Sequence, residues 1–284
     1  MNLLVTGHKG YIGGNLFARL KELGHNVMGI DLKEGEDILD GFQQKHYDFK
    51  PEVVFHLAAI PRVVYSIEHP VEVMHNNVHS TSIVLEFAKE VGAMVVYSSS
   101  SSVVGNGEGP ESPYALSKYV GELETLLYNR LYGVDTVALR YFNVYSVDQV
   151  ADGPYATCVA NWRRFIKEGR TPYITGDGEQ RRDMAHVSDV VSANIFCMQN
   201  RSNKNLLGKA LDVGTGNNIS INEMKEAVHE SLPDLEFEYV PDRPGDVRLT
   251  KANIWPLLDL GWKPKVTISE GIKKCFSEFV NEIG

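Results

Sequence analysis

Apolar positions along the chain repeat in two alternating patterns. Short, nearly continuous apolar runs at 3–6, 26–30, 53–59 and 93–97 predict buried strands. Between them, apolar residues recur at helical spacing. After Gly10, Ile12, Leu16, Phe17, Leu20 and Leu23 fall on one side of a helix that Gly24 ends, and residues 71–91 and 114–132 predict two more helices. Asp37 and Ile38 predict a stub of a further strand. From Ser146 the alternation loosens, with helices expected over 161–168 and 221–231 and short strands between them. The pattern predicts an α/β fold built on a doubly wound parallel sheet, with ligands at the carboxyl ends of the strands. The expected division is a sheet domain over 1–145 and a smaller mixed α/β lobe over 146–284, some of whose segments return to the sheet.

The first strand runs into a G-x-x-G-x-x-G turn, Gly7, Gly10 and Gly13, which opens directly into a helix. Glycines there permit a tight turn and close approach of backbone to a pyrophosphate, and the helix N-terminus supplies N–H groups. Asp31 closes the second strand, where an acid accepts hydrogen bonds from an adenine-ribose diol. This is the Rossmann signature for a dinucleotide. The run 53–59 ends in the small residues Ala58 and Ala59, over which a cofactor can lie, and the next strand runs into serines 98–102, with Ser99 and Ser100 at its end. Pro113 and Ala115 suit a helix start that places Tyr114 and Lys118, four residues apart, on one face. A cation beside a phenol favours the phenolate, so this pair predicts a base. His75 and His79 share metal-ligand spacing, but no acidic or cysteine ligand accompanies them, and both read as surface or interface histidines.

Charge and cysteines narrow the class. The 284 residues carry a formal charge of −9 with no basic run, which argues against nucleic acid as a partner. Cys158, Cys197 and Cys275 lack CxxC spacing and read as reduced thiols of a cytoplasmic protein. The strand-like start leaves no signal peptide, and no apolar run is long enough to cross a membrane.

These features sit within a longer series of ordered motifs. It includes Thr6-Gly7-x-x-Gly10-Tyr11-Ile12-Gly13, His56-Leu57-Ala58-Ala59, Ser66-Ile67-Glu68-His69-Pro70 and Tyr97-Ser98-Ser99-Ser100 ahead of Tyr114-x-x-x-Lys118. Further along come Leu139-Arg140-Tyr141-Phe142-Asn143-Val144-Tyr145, the stretch from Gly176 to Asp183, Val213-Gly214-Thr215-Gly216 and Arg243-Pro244-Gly245-Asp246. Nearly end to end, the chain resembles the extended short-chain dehydrogenase/reductase family, in its nucleotide-sugar epimerase and dehydratase group. The resemblance implies that Gly7, Gly10, Tyr11, Ile12 and Gly13 hold the NAD pyrophosphate and that Asp31 binds the adenosine ribose, with Asp37 and Ile38 beside the adenine. Leu57, Ala58, Ala59 and Asn77 line the cofactor, Lys118 bonds the nicotinamide ribose, and Phe142 lies near the nicotinamide. Ser100 and Tyr114 grip the reacting sugar hydroxyl. Arg182, Arg243 and Asn143 face the substrate diphosphate, Asp246 its ribose, and Tyr173, Ile174 and Thr175 its base. Two departures stand out: the segment between Asp31 and Asp37 is short, and Val104 stands where the family commonly has Tyr.

The activity implied is an NAD-dependent nucleotide-sugar 4-epimerase. Tyr114 takes the 4-OH proton with Ser100 as relay, a hydride leaves C4, and the 4-keto sugar turns over and takes the hydride back. A uronic-acid 4-epimerase and a 4-keto reductase are related alternatives. A 4,6-dehydratase needs an extra acid and base where this chain has Ser101 and Ser102. A non-catalytic NAD-sensing or scaffold protein is the alternative of another class. In the family the 71–91 and 114–132 helices form a four-helix homodimer interface. The resemblance also points to Thr250 and the stretch 152–157 as features of enzymes that accept N-acetylated sugars. Arg62 falls in the loop that approaches the sugar.

Overall fold

The computed structural model describes residues 1–105, 107–149, 157–242 and 248–283. It divides into two compact units. The first comprises Met1–Tyr141, Val190–Asp212 and Trp255–Trp262, and the second Phe142–Asp189, Val213–Ile254 and Lys263–Gly284. In chain order the elements up to Tyr141 are β1 (Asn2–Thr6), α1 (Tyr11–Glu22), β2 (Asn26–Ile30), α2 (Gln44–Phe49), β3 (Val53–His56), α3 (Val63–Glu68), α4 (Pro70–Met74), α5 (Ser80–Val91), β4 (Met94–Ser100), α6 (Pro113–Tyr132) and β5 (Thr136–Tyr141). There follow α7 (Cys158–Lys167), β6 (Tyr173–Thr175), β7 (Arg181–Arg182), α8 (Val187–Gln199), β8 (Lys209–Val213), β9 (Ile219–Ser220), α9 (Ile221–His229), β10 (Glu238–Val240), α10 (Trp255–Asp259) and α11 (Ile268–Ile283).

One six-stranded sheet, in the order β2-β1-β3-β4-β5-β8, organises the first unit. The pairs from β2 through β5 are parallel. Both faces of these strands are covered, which is why they read as continuous apolar runs: Leu3, Leu4, Val5, Val53, Val54, Phe55, Val95, Val96, Val137 and Leu139 are all buried. In α1, Leu16 and Leu20 turn inward, while Leu23, expected on the same face, lies beyond the last turn and is exposed. Helix α6 is capped as its sequence dictates: Pro113 occupies the first turn and the Ser112 hydroxyl accepts the Ala115 amide N–H at 3.1 Å.

Two expectations need correction. Asp37 and Ile38 form no strand. Asp37 caps a 3₁₀ turn over Ile38–Asp40, its carboxylate accepting the Leu39 N–H at 2.9 Å, and Ile38 drops into the core. An aspartate satisfies such a turn better than a ladder, and among the described residues no strand pairs with the outer edge of β2. The 71–91 helix is interrupted: a π-helical turn over His75–His79 joins α4 to α5. The His75 and His79 rings stand 5.5 Å apart there. Among the described residues no three His, Cys, Asp or Glu side chains gather as metal ligands.

In the second unit, α7, α9 and α11 enclose a core that includes Tyr145, Trp162, Ile174, Met224 and Phe276. Two small sheets complete it: β6 pairs parallel with β10, and β7 antiparallel with β9. Buried carboxylates tie its loops. Asp183 accepts the N–H groups of Thr215 (2.8 Å), Gly216 (3.0 Å) and Ala252 (3.0 Å), and Asp189 those of Lys265 and Val266, both at 3.0 Å. Burial raises the Asp183 pKa, and these donors oppose the rise.

Candidate active site

The glycine turn is a cradle that tolerates no side chain. Gly7 has φ +74°, its N–H reaches the Ile30 carbonyl at 2.8 Å, and a Cβ there would lie 2.7 Å from the Ala58 nitrogen. A Cβ at Gly13 would collide with the Gly7 carbonyl oxygen. Thr6 fixes the opposite wall, since its Oγ1 accepts the N–H groups of Leu57 and Ala58, each at 3.2 Å. Its proton then goes to His56 Nδ1 at 2.8 Å, and His56 Nε2 donates to Thr81 Oγ1 at 3.2 Å. Burial pushes the His56 pKa down to about 3, so the ring is neutral and this tautomer is fixed by its partners. Asp31 is buried at the end of β2, where one carboxylate oxygen accepts Lys9 N–H at 2.8 Å and the other Lys33 N–H at 2.9 Å. Glu34 reaches back over the turn to Lys9 Nζ (2.7 Å) and His8 Nε2 (3.1 Å). A backbone cradle that excludes side chains, closing onto a helix N-terminus with an anchored acid at the next strand, fits a dinucleotide.

Asn77, expected to line the cofactor, spends its carboxamide within the protein. Oδ1 accepts Ile60 N–H at 2.8 Å, while Nδ2 donates to the Ile60 carbonyl at 3.2 Å and to Ser117 Oγ at 2.9 Å. It therefore fastens the loop after β3 to the first turns of α6. The Asp37 side chain is likewise used by its own turn, and the Ile38 side chain is buried.

Ser100, Tyr114 and Lys118 come together where β4 ends against α6. Ser102 donates to Ser100 Oγ from both its hydroxyl (2.9 Å) and its N–H (3.2 Å). Ser100 in turn hydrogen-bonds the Tyr114 phenol, which lowers the phenol's pKa, but burial is the larger influence and raises it above the ordinary value of 10. Lys118 is buried, its Nζ donating to the Ser98 carbonyl at 2.9 Å and lying 5.1 Å from the Tyr97 ring centre. Burial pushes its pKa down to about 7.

A cavity of about 260 Å³ lies within the second unit. It brings together Asn143, Tyr173, Ile174, Thr175 and Arg182, all expected at the substrate. Asn143 adopts φ +35°, an uncommon conformation for a non-glycine residue, and its amide donates to the Asp183 carbonyl at 2.7 Å. The sequence reading missed Asn161, Trp162 and Phe165 of α7 and also Gln180, which line the same cavity. The apolar period of α7 was legible, but nothing in it told a lining face from a core face. Trp162 Nε1 donates to the Tyr173 carbonyl at 2.9 Å, and Gln180 Nε2 to the Thr175 carbonyl at 2.9 Å, so both fasten β6. Arg181 turns to Asn218 and to Glu223 (2.9 Å). Phe142 is buried, its N–H bonded to the Val213 carbonyl at 3.1 Å. The Thr250 hydroxyl accepts Asp183 N–H at 3.2 Å and lies 3.3 Å from Asn143 Nδ2. Arg62 is exposed just before α3, and Val104 is exposed as well. Arg243 and Asp246 lie outside the described residues, as does 152–156.

The parallel sheet, the glycine cradle and the Ser-Tyr-Lys cluster define a dinucleotide-binding α/β enzyme of the short-chain dehydrogenase/reductase type. Residues 3–214 match the model of the NAD dependent epimerase/dehydratase family, and the chain belongs to that family. It is 34% identical to the UDP-glucose 4-epimerase of Mycolicibacterium smegmatis, with 99% of each chain covered. Among solved structures it is similar to a UDP-N-acetylglucosamine 4-epimerase from Methanobrevibacter ruminantium in complex with UDP-N-acetylmuramic acid. The TM-score is 0.87 at 28% identity, covering 99% of this chain and 98% of that one. The UDP-glucuronic acid 4-epimerase of Bacillus cereus, in complex with UDP-glucuronic acid and NAD, gives a TM-score of 0.87 at 27% identity, with 100% of each chain covered.

Proposed function

We propose that the chain is an NAD-dependent 4-epimerase of UDP-hexoses or UDP-N-acetylhexosamines. The observation that carries this reading is the directed hydrogen-bond chain from Ser102 through Ser100 to the half-buried Tyr114, with Lys118 one helical turn away. The glycine cradle and Asp31 hold NAD, which supplies a reversible hydride acceptor when bound. Tyr114 takes the proton of the sugar 4-OH and returns it to O4 after the sugar has presented its other face. Ser100, whose oxygen accepts twice from Ser102, directs its own proton toward the phenol oxygen and so favours its ionised form, and it relays the 4-OH proton when the Ser102 hydroxyl turns away and frees a lone pair. Lys118 bonds the nicotinamide ribose and, as an ammonium, favours the ionised phenol. Arg182 and Asn143 hold the diphosphate, which an arginine fork suits, and Tyr173 packs against the base. Ser102 is committed to Ser100, so the dehydratase reading lacks its extra acid.

A homodimer accompanies this reading. Ile67 (59% exposed) and Val71 (81%) on α3 and α4, with Leu116 (43%) and Leu123 (48%) on α6, leave apolar surface that a second copy would cover. The three cysteines are free thiols, two of them buried, which supports a reducing, cytoplasmic setting. Incubation with a panel of UDP-, dTDP- and GDP-sugars, followed by NMR at the C4 proton, tests the activity. Inversion of a UDP-hexose or UDP-N-acetylhexosamine is expected, and inversion of uronic acids alone would replace this substrate class. Sedimentation tests the dimer.

A further inference from the structure

Beneath the reacting pair lies a second set of contacts between the same two elements. Tyr114, Lys118 and Glu122 recur every four residues along one face of α6. Each engages one of the last three residues of β4: Lys118 the Ser98 carbonyl at 2.9 Å, Glu122 the Ser99 hydroxyl at 2.7 Å, and Tyr114 the Ser100 hydroxyl. Glu122 is only 1% exposed. Its two oxygens receive Arg140 as a fork, Nε at 2.9 Å and Nη2 at 2.6 Å, and Arg140 is the residue of β5 in register with Ser99. Arg140 also approaches Asp212 of β8 at 3.6 Å. One buried carboxylate thus joins α6 to two adjacent strands.

A buried ion pair is a poor source of net stability, because desolvation offsets its attraction, but it does specify geometry. We infer that Glu122 is a positioning residue for the reaction. Through Ser99 and Arg140 it fixes how far α6 lies along β4, and so where Tyr114 and Lys118 meet Ser100. A helix rises about 1.5 Å per residue, so a slip of a single residue separates groups that must stay in hydrogen-bond contact. Serine at 99 is needed for its hydroxyl, the tether on the strand side, while Ser100 works on the reacting side.

The inference rests on the assignment of Tyr114 and Lys118 made above, and the test separates the two. Ser99→Ala and Glu122→Gln are made in the full-length protein, assayed for turnover with NAD bound and for NAD affinity after the nucleotide has been stripped. Each is expected to lower kcat by about 10-fold or more, the scale of sub-ångström misplacement, with KM for the UDP-sugar within about 2-fold. Each also weakens NAD binding in calorimetry, because Lys118 moves with the helix. Ser99→Thr, which keeps the hydroxyl, restores kcat. Unchanged kcat and NAD affinity at 25 °C in Ser99→Ala, with only a lower unfolding temperature, would mean that the contact merely braces the fold and overturns the inference. If the wild type inverts no nucleotide sugar, the functional assignment fails, and NAD affinity alone decides the tether: an unchanged value overturns it. Should Glu122→Gln fail to fold, Ser99→Ala carries the test, since it removes one exchangeable contact from an intact strand.

Discussion

Gly121 makes room for the Tyr97 hydroxyl. A Cβ at 121 would collide with that oxygen, which is buried and donates to the Lys118 carbonyl at 3.3 Å. Helix α6 lies close on β4 because this one position is bare. Gly121→Ala should therefore lift the helix from the sheet, lowering stability by about 1–3 kcal/mol and turnover with it. Urea unfolding beside steady-state rates checks this, and Tyr97→Phe in the same background should recover part of the loss.

Tyr114→Phe should abolish turnover while NAD and substrate binding stay close to normal, since the ring keeps its packing and only the proton carrier is lost. Calorimetry and the C4-proton assay read the two halves separately. Near-normal turnover would sink the assignment.

The buried His56 makes stability depend on pH. Its pKa falls from 6.5 in the unfolded chain to about 3 in the fold. Between those values the unfolded chain binds a proton that the folded chain refuses. Stability present above pH 6.5 is therefore lost as the pH falls toward 3, at up to about 1.4 kcal/mol per unit. Urea unfolding at pH 7, 6 and 5 should show this slope, and His56→Gln should flatten it.

NAD should bind in preference to NADP. Asp31 and Glu34 both face the glycine turn, where two carboxylates repel a 2′-phosphate, and Glu34 pairs with Lys9 at 2.7 Å. Asp31→Ala should gain NADP affinity in calorimetry, and the double change with Glu34→Ala should gain more by releasing Lys9.

Thr250→Tyr should depress kcat/KM for a UDP-N-acetylhexosamine about 5- to 150-fold, the cost of overpacking a site, and spare UDP-galactose. Thr250→Val, which removes only the hydroxyl bonded by Asp183 N–H, separates loss of that contact from steric exclusion.

Legibility followed chain distance. Gly7, Gly13, Asp31, Tyr114 and Lys118 stood out because short spacings on a strand, a turn or one helix face carry their chemistry. The positions fixed by distant partners did not. Glu122 and Ser99 are 23 residues apart, and Thr6 and His56 are 50 apart, so no local period links them. Burial misled in the other direction. Four-residue spacing announced a cation beside a phenol, but it held no information about the partial burial that raises the Tyr114 pKa. The strand stub failed for a local reason, because Asp37 caps its own turn.

The sheet also sets an order of events at the ribosome. Its sixth strand, β8, is encoded after Asp189, and α10 later still, so the first unit is incomplete while most of the second is being synthesised. A nascent chain released after Tyr141 would carry β5 as a bare edge, its unpaired N–H and C=O groups open to a neighbouring strand. Cutting the gene at the apparent boundary would therefore give an aggregating fragment, and dissection of this protein has to respect the later return of its chain.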